Sequence, residues 1–166
     1  MLKKIIDPNC YTTICFQDNN IVYIGGLTQG EIIKYNINSN EVIERITGKF
    51  NFPKQIMISD KFLIISDYWT KGFFVWELET LKRFKEQYYN EYMQKITCFD
   101  LSKKNNNLLA YGMLTSVVNI IDLSKRVTLF WDELHVGRIT DLIFTPDGNK
   151  LISVSEDSLI IVRNVE

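Results

Sequence analysis

The sequence predicts an all-β protein built from four copies of one small antiparallel unit, and three observations carry that prediction. An order of features recurs along the 166 residues: an extended run ending in an apolar residue, a polar turn, a strand ending in a small residue, a short loop, and a third strand with an aromatic or polar end. The recurrence holds at three separate registers. The runs are also short and rich in Ile, Val, Phe and Tyr, and clusters such as SDYWTKG and TPDGNK bound them. β-Branched and aromatic residues suit a pleated, half-buried surface, whereas Gly, Pro, Asn and Asp interrupt it. A period of about 20 to 50 residues marks modules that bury their faces against their neighbours.

The chain opens with an orphan extended segment, Leu2 to Ile6. Units at about 11–48, 53–90, 94–133 and 134–166 follow, within a single domain spanning 1–166. Their first strands are YTTICF, KQIMI, ITCFDL and ITDLIF; the last apolar residues, Phe16, Ile58, Leu101 and Phe144, step by 42, 43 and 43. The second strands, IVYIG, FLIIS, LLAYG and LISVS, end at Gly25, Ser66, Gly112 and Ser155, with steps of 41, 46 and 43. In the third strands, IIKYNI, FFVWEL, VNIIDL and IIVRNV, the positions Tyr35, Trp76, Ile121 and Arg163 step by 41, 45 and 42. A fourth strand follows in three units, EVIERIT, LKRFKEQ and RVTLFW, where charged and apolar residues mix as at an exposed outer edge. The second strands are too continuously apolar for a sheet with one wet face, so each sheet needs cover on both sides. Four short antiparallel strands, repeated, make the blade of a β-propeller. The stretch LETLKRFKEQYYNEYMQK also fits an amphipathic helix with Leu78, Leu81, Phe84 and Tyr88 on one side, but the repeat register favours a strand and a loop.

The last unit, LHVGRITDLIFTPDGNKLISVSEDSLIIVRN, resembles the WD-repeat family of propellers. His135, Pro146-Asp147-Gly148, Ser153, Ser155 and Asp157 match that family's pattern, while Arg163-Asn164 stands where Trp-Asp is usual. The other units end in Tyr35-Asn36, Trp76-Glu77 and Ile121-Asp122. The resemblance implies that His135, Asp157 and Ser153 form a buried hydrogen-bonded set, with Asp147 and Gly148 shaping a turn. Arg163 in place of the indole is expected to weaken that set. The resemblance further implies that Leu2 to Ile6 completes the last blade. Because such rings mostly need six to eight blades, the four blades are expected to form a partial propeller or half ring that pairs with another chain or with a copy of itself, as a homodimer completing an eight-bladed ring, with a small closed ring or a truncated segment as the alternatives.

Composition narrows the function. Nineteen basic residues nearly cancel twenty acidic ones, which removes the electrostatic case for nucleic acid. Cys10, Cys15 and Cys98 form neither a disulfide framework nor a zinc spacing. The N-terminal apolar run is too short for a signal peptide, and no stretch approaches the roughly 18 apolar residues of a membrane span; a cytoplasmic or nuclear location is expected. No phosphate loop, dinucleotide fingerprint or nucleophile elbow is present, so neither an enzyme nor a cofactor is expected. What remains is a scaffold binding a protein or peptide through propeller loops that hold Leu27, Phe50, Phe52, Tyr68, Trp69, Lys71, Tyr88, Tyr89, Tyr92, Met113 and Leu114. Aromatic residues there bury large area at small entropic cost. The alternative is a phosphoinositide or peripheral-membrane-binding propeller, for which Lys82, Arg83 and Lys85 are the nearest basic group.

Overall fold

A computed structural model describes residues 11–26, 30–48, 53–67, 72–83 and 96–165. The described residues are all-β, with 14 strands in four antiparallel sheets and no helix. The first sheet runs β1 (Tyr11–Phe16), β2 (Ile21–Gly26), β3 (Glu31–Asn36), β4 (Glu41–Thr47), and the second runs β5 (Pro53–Ile58), β6 (Phe62–Asp67), β7 (Phe73–Glu77). The third contains β8 (Ile96–Leu101), β9 (Leu108–Met113), β10 (Val118–Asp122) and β11 (Val127–Asp132). The fourth contains β12 (Ile139–Phe144), β13 (Lys150–Ser155) and β14 (Ile160–Asn164). Within every sheet, strands follow one another as a simple meander.

The predicted registers fall in one row per sheet. Phe16, Val22 and Tyr35 stand abreast, as do Ile58, Leu63 and Trp76, then Leu101, Leu109 and Ile121, and finally Phe144, Leu151 and Arg163. One position shifts. Gly25, Ser66 and Gly112 pair with the third residue of each first strand, but in the fourth sheet that place belongs to Val154, not Ser155.

A β-bulge recurs at the start of all four first strands, skipping Thr12, Lys54, Thr97 and Thr140. An unpaired residue of this kind must satisfy its surroundings in another way. The Thr97 and Thr140 hydroxyls donate back to the carbonyls of Gly112 (3.1 Å) and Val154 (3.2 Å). Thr12 Oγ1 lies 3.4 Å from Gly25 O and 2.6 Å from Pro53 O in the next sheet. Lys54 Nζ likewise donates to Thr97 O at 2.6 Å, so the bulges stitch successive sheets together.

The sheets pack in chain order. Tyr23, Ile32 and Ile46 of the first sheet meet Ile56, Leu63, Ile65, Phe74 and Trp76 of the second. The opposite face of the second sheet, Phe62, Ile64, Phe73 and Val75, packs on Phe99, Leu101, Leu109 and Tyr111 of the third. Cys98, Ala110, Val118 and Ile120 then meet Ile139, Leu142, Phe144 and Leu151 of the fourth. The two middle sheets are therefore covered on both faces, which is why β6 and β9 are buried along their whole length.

Of the predicted fourth strand of the second unit, LKRFKEQ, only residues 81–83 are described, and they form a bridge between Trp76 and Arg83. Residues 78–80 form a turn, so no helix begins there. The predicted segment Leu2 to Ile6 and residues 84–95 lie outside the described residues.

Candidate functional site

β11 ends at Asp132, and the connection to β12 lies against the turn between β13 and β14. Their junction is polar and buried. Asp157 accepts N–H groups from Val136 and Leu159, both at 2.9 Å, and lies 2.9 Å from His135 Nδ1. His135 Nε2 is 2.8 Å from Ser153 Oγ, and Arg163 Nη1 donates to that oxygen at 2.5 Å. Arg163 also forks onto Asp132: Nη2 donates to Oδ1 at 2.6 Å and Nε to Oδ2. The ionised Asp157 carboxylate can only accept, so Nδ1 carries a proton toward it, while Nε2 and Ser153 Oγ share one hydrogen bond. Every group in the chain from Asp132 to Asp157 is thus paired, as buried polar networks require.

Burial opposes charge on Asp157, but the Leu159 and Val136 amides and the His135 ring outweigh it and hold the carboxyl at about 2. Arg163 does not weaken the set, contrary to expectation. Its guanidinium replaces the lost ring donor and, through Asp132, ties the fourth sheet to the end of β11 in the third.

Carboxylate, imidazole and hydroxyl stand here in the order of a hydrolase triad. Ser153 Oγ is nonetheless fully buried mid-strand, where it accepts a hydrogen bond from Arg163. The arrangement fastens two loops. Arg138 adds an ion pair to Glu156 at 3.0 Å, and Glu156 N donates to Arg138 O at 3.0 Å.

Outside this lock, the same loops present apolar groups to solvent. Leu134 and Val136 flank His135, Leu159 follows Asp157, and Trp131 ends the exposed run of β11; all are exposed. Sequence reasoning passed over them because single apolar residues in polar loops are unremarkable; the signal was the LHV and DSL context of the matched histidine and aspartate. Leu114, at the turn after β9, is exposed as expected.

Met113 corrects its expectation. As the last residue of β9, paired to Ile96, it is buried with Phe73 and Tyr111, so it belongs to the interface between sheets. Tyr68, Trp69, Lys71, Tyr88, Tyr89 and Tyr92 lie outside the described residues, as do Leu27, Phe50 and Phe52. Asp147 and Gly148 form the turn between β12 and β13: Thr145 Oγ1 donates to Asp147 at 2.5 Å, and Gly148 takes φ 67° with the Lys104 side chain against it. That hydrogen bond, joined by the Asn149 amide, holds Asp147 below the usual carboxylate range.

Open clefts lie elsewhere on the surface. One of about 340 Å³ lies at the opposite end, lined by Gln17, Asp18, Ser59, Asp60 and Asn106, and one of about 170 Å³ lies beside Lys54, Thr97, Arg138 and Thr140. Among the described residues, no group of three His, Cys, Asp or Glu side chains is placed to hold a metal ion.

No protein-family model and no curated protein matches the chain. Solved structures do. The computationally designed Ika4 protein is similar with a TM-score of 0.78 at 18% identity, covering 100% of this chain and 100% of that one. The computationally designed Ika8 protein is similar with a TM-score of 0.74 at 19% identity over 93% of this chain. The match spans 46% of the Ika8 chain, so this chain corresponds to about half of its length. These likenesses concern the fold.

Proposed function

We propose that the four sheets are blades of a partial propeller of WD-repeat type, and that the protein is a non-catalytic scaffold. Its loop end engages a protein or peptide partner. The observation that carries this reading is the coupling of a buried lock to an exposed apolar rim: the Asp157 carboxylate that holds His135 also takes the amides of Val136 and Leu159. A rim fixed in this way loses little conformational entropy on binding, and exposed apolar groups bounded by polar ones are the usual anchor of a protein interface. Leu114, Trp131, Leu134, Val136 and Leu159 form the described part of that rim. Tyr68, Trp69, Lys71, Tyr88, Tyr89 and Tyr92, which lie outside the described residues, are further partner-binding candidates on the sequence alone.

The test is affinity purification with three baits: wild type, Val136→Asp/Leu159→Asp, and Tyr68→Ala/Trp69→Ala. Proteins captured by wild type and lost from either variant, with melting temperatures unchanged, support the loop face. Equal recovery by all three overturns it. Capture of anionic vesicles that salt abolishes, with no protein recovered, favours the membrane alternative.

A further inference from the structure

Among the described residues, the row of sheets leaves two faces without a neighbouring sheet. Positions equivalent by register can be compared directly. On the third sheet, Val118 and Ile120 face the fourth sheet and are 0% and 3% exposed; their counterparts on the fourth, Ile160 and Val162, are 72% and 56% exposed. Ile143 and Ile152 continue that open face, abreast of Val162. At the other end the comparison repeats: Leu142 and Phe144 are 4% and 5% exposed against the third sheet, while their counterparts Ile14 and Phe16 are both 61% exposed. Val22, Ile33 and Tyr35 on that side are already buried, so its open part is the β1 margin.

We propose that a second copy of this chain covers both faces: the fourth sheet of each copy packs on β1 of the other, and the two half rings close as a pair. Each open face has the chemistry of a surface that is buried elsewhere in the same chain, and the two are the opposite halves of one interface. The repeated sheet-to-sheet contact therefore continues from β12–β14 of one copy onto β1 of the next. In that continuation Phe16 takes the place of Phe144, and Ile143 takes the place of Asp100, which accepts the Phe144 amide at 2.8 Å. The fold of this chain also occurs within the longer Ika8 chain, where it spans 46% of the length. A contact between unlike faces either closes into a ring or runs on as a filament; the closed pair satisfies all four open faces with two copies. The seam differs from the internal one at the Ile143 position and also where Val154 stands at the place in which Gly112 makes room for Ile139.

Light scattering on a sizing column tests this with wild type, Ile14→Lys and Val162→Lys. Both variants alter exposed side chains; circular dichroism and melting temperature report whether each is folded. If Val162→Lys does not fold, Ile160→Thr/Val162→Thr keeps β-branched residues and replaces it. The expected result is wild type at twice 19.5 kDa, each variant at the monomer mass, and an equimolar mixture of the two returning to the pair through its one intact seam. Wild type that stays monomeric at high concentration overturns the proposal, as does a mass that climbs beyond the pair. If only one variant loses the pair, like faces meet each other and the proposed seam is wrong. Failure of the mixture to re-form the pair has the same consequence.

Discussion

Asp157 is the residue on which opposing terms meet. Burial disfavours its charge, yet two amides and the His135 ring hold it at about 2, below its ordinary 3.8. A carboxyl lowered in this way contributes stability that is complete above the unfolded value and disappears as pH falls through the folded one. The melting temperature of wild type should therefore fall more steeply than that of Asp157→Asn between about pH 4 and pH 2, with parallel curves above; parallel curves throughout would show that the lock stores no protonation-linked stability. Arg163 gives a second test. Its side chain and that of Asp132 are 5% and 12% exposed, so truncating one leaves the other charge poorly solvated. Arg163→Met should cost about 3 kcal/mol in denaturant unfolding, and Asp132→Ala/Arg163→Met should recover a large part of that loss. Tyr23 points the other way. Its hydroxyl is buried with no hydrogen-bond partner among the described residues, and burial, aided by Glu44 and Asp18, pushes it up to about 12. Removing an unsatisfied group relieves a desolvation penalty, so Tyr23→Phe should leave stability unchanged or raise it by about 1 kcal/mol.

At the level of strands and turns, close approach between sheets depends on what stands at the end of each second strand. A Cβ at Gly112 would lie 2.4 Å from Ile139 Cγ2 and 2.7 Å from Ile139 Cβ, and a Cβ at Gly25 would lie 2.9 Å from Pro53 Cβ. Gly112→Ala should lower stability by about 1 to 3 kcal/mol, and Ile139→Ala, which removes the clashing Cγ2, should make the two losses less than additive in the double variant if the clash is its source. A Gly112→Ala variant as stable as wild type would mean that the third and fourth sheets pack less tightly than described. Much of this was legible beforehand. The first-strand and third-strand alignments depend on apolar side chains that must face a neighbouring sheet, and such residues keep their spacing. Ser155 was displaced by one because LISVS offers two small serines and the sequence does not mark which of its residues faces the next sheet. The bulges were invisible, since Thr in a strand carries no sign that it is skipped. Arg163 was misread for a related reason: its value depends on Asp132, 31 residues earlier, which only the packing of the fourth sheet against the third brings within reach. The rim at Leu134, Val136 and Leu159 likewise emerges only when two separate loops are fastened side by side.

For the molecule as a whole, stability is shared unequally along the row of sheets. Stacked modules gain most of their stability from contacts with neighbours, and here the two middle sheets have two neighbours while the end sheets have one each. Local opening should therefore be rarest in the middle. Amide exchange should be slowest in β6 and β9, where Leu63, Ile64, Ile65, Leu109 and Ala110 are fully buried. It should be fastest in β14, whose apolar side chains face solvent. Pairing through the end faces changes only part of that profile. A second copy on the fourth sheet gives β13 and β14 the neighbour they lack, so their protection should rise with protein concentration while that of β6 and β9 stays fixed. Val162→Lys should remove the rise without altering the middle strands. Exchange measured by mass spectrometry across a wide concentration range reads both effects in one sample. Protection of β13 and β14 that does not vary with concentration would mean that the fourth sheet remains an open end, and that the stability of the molecule resides within the single chain.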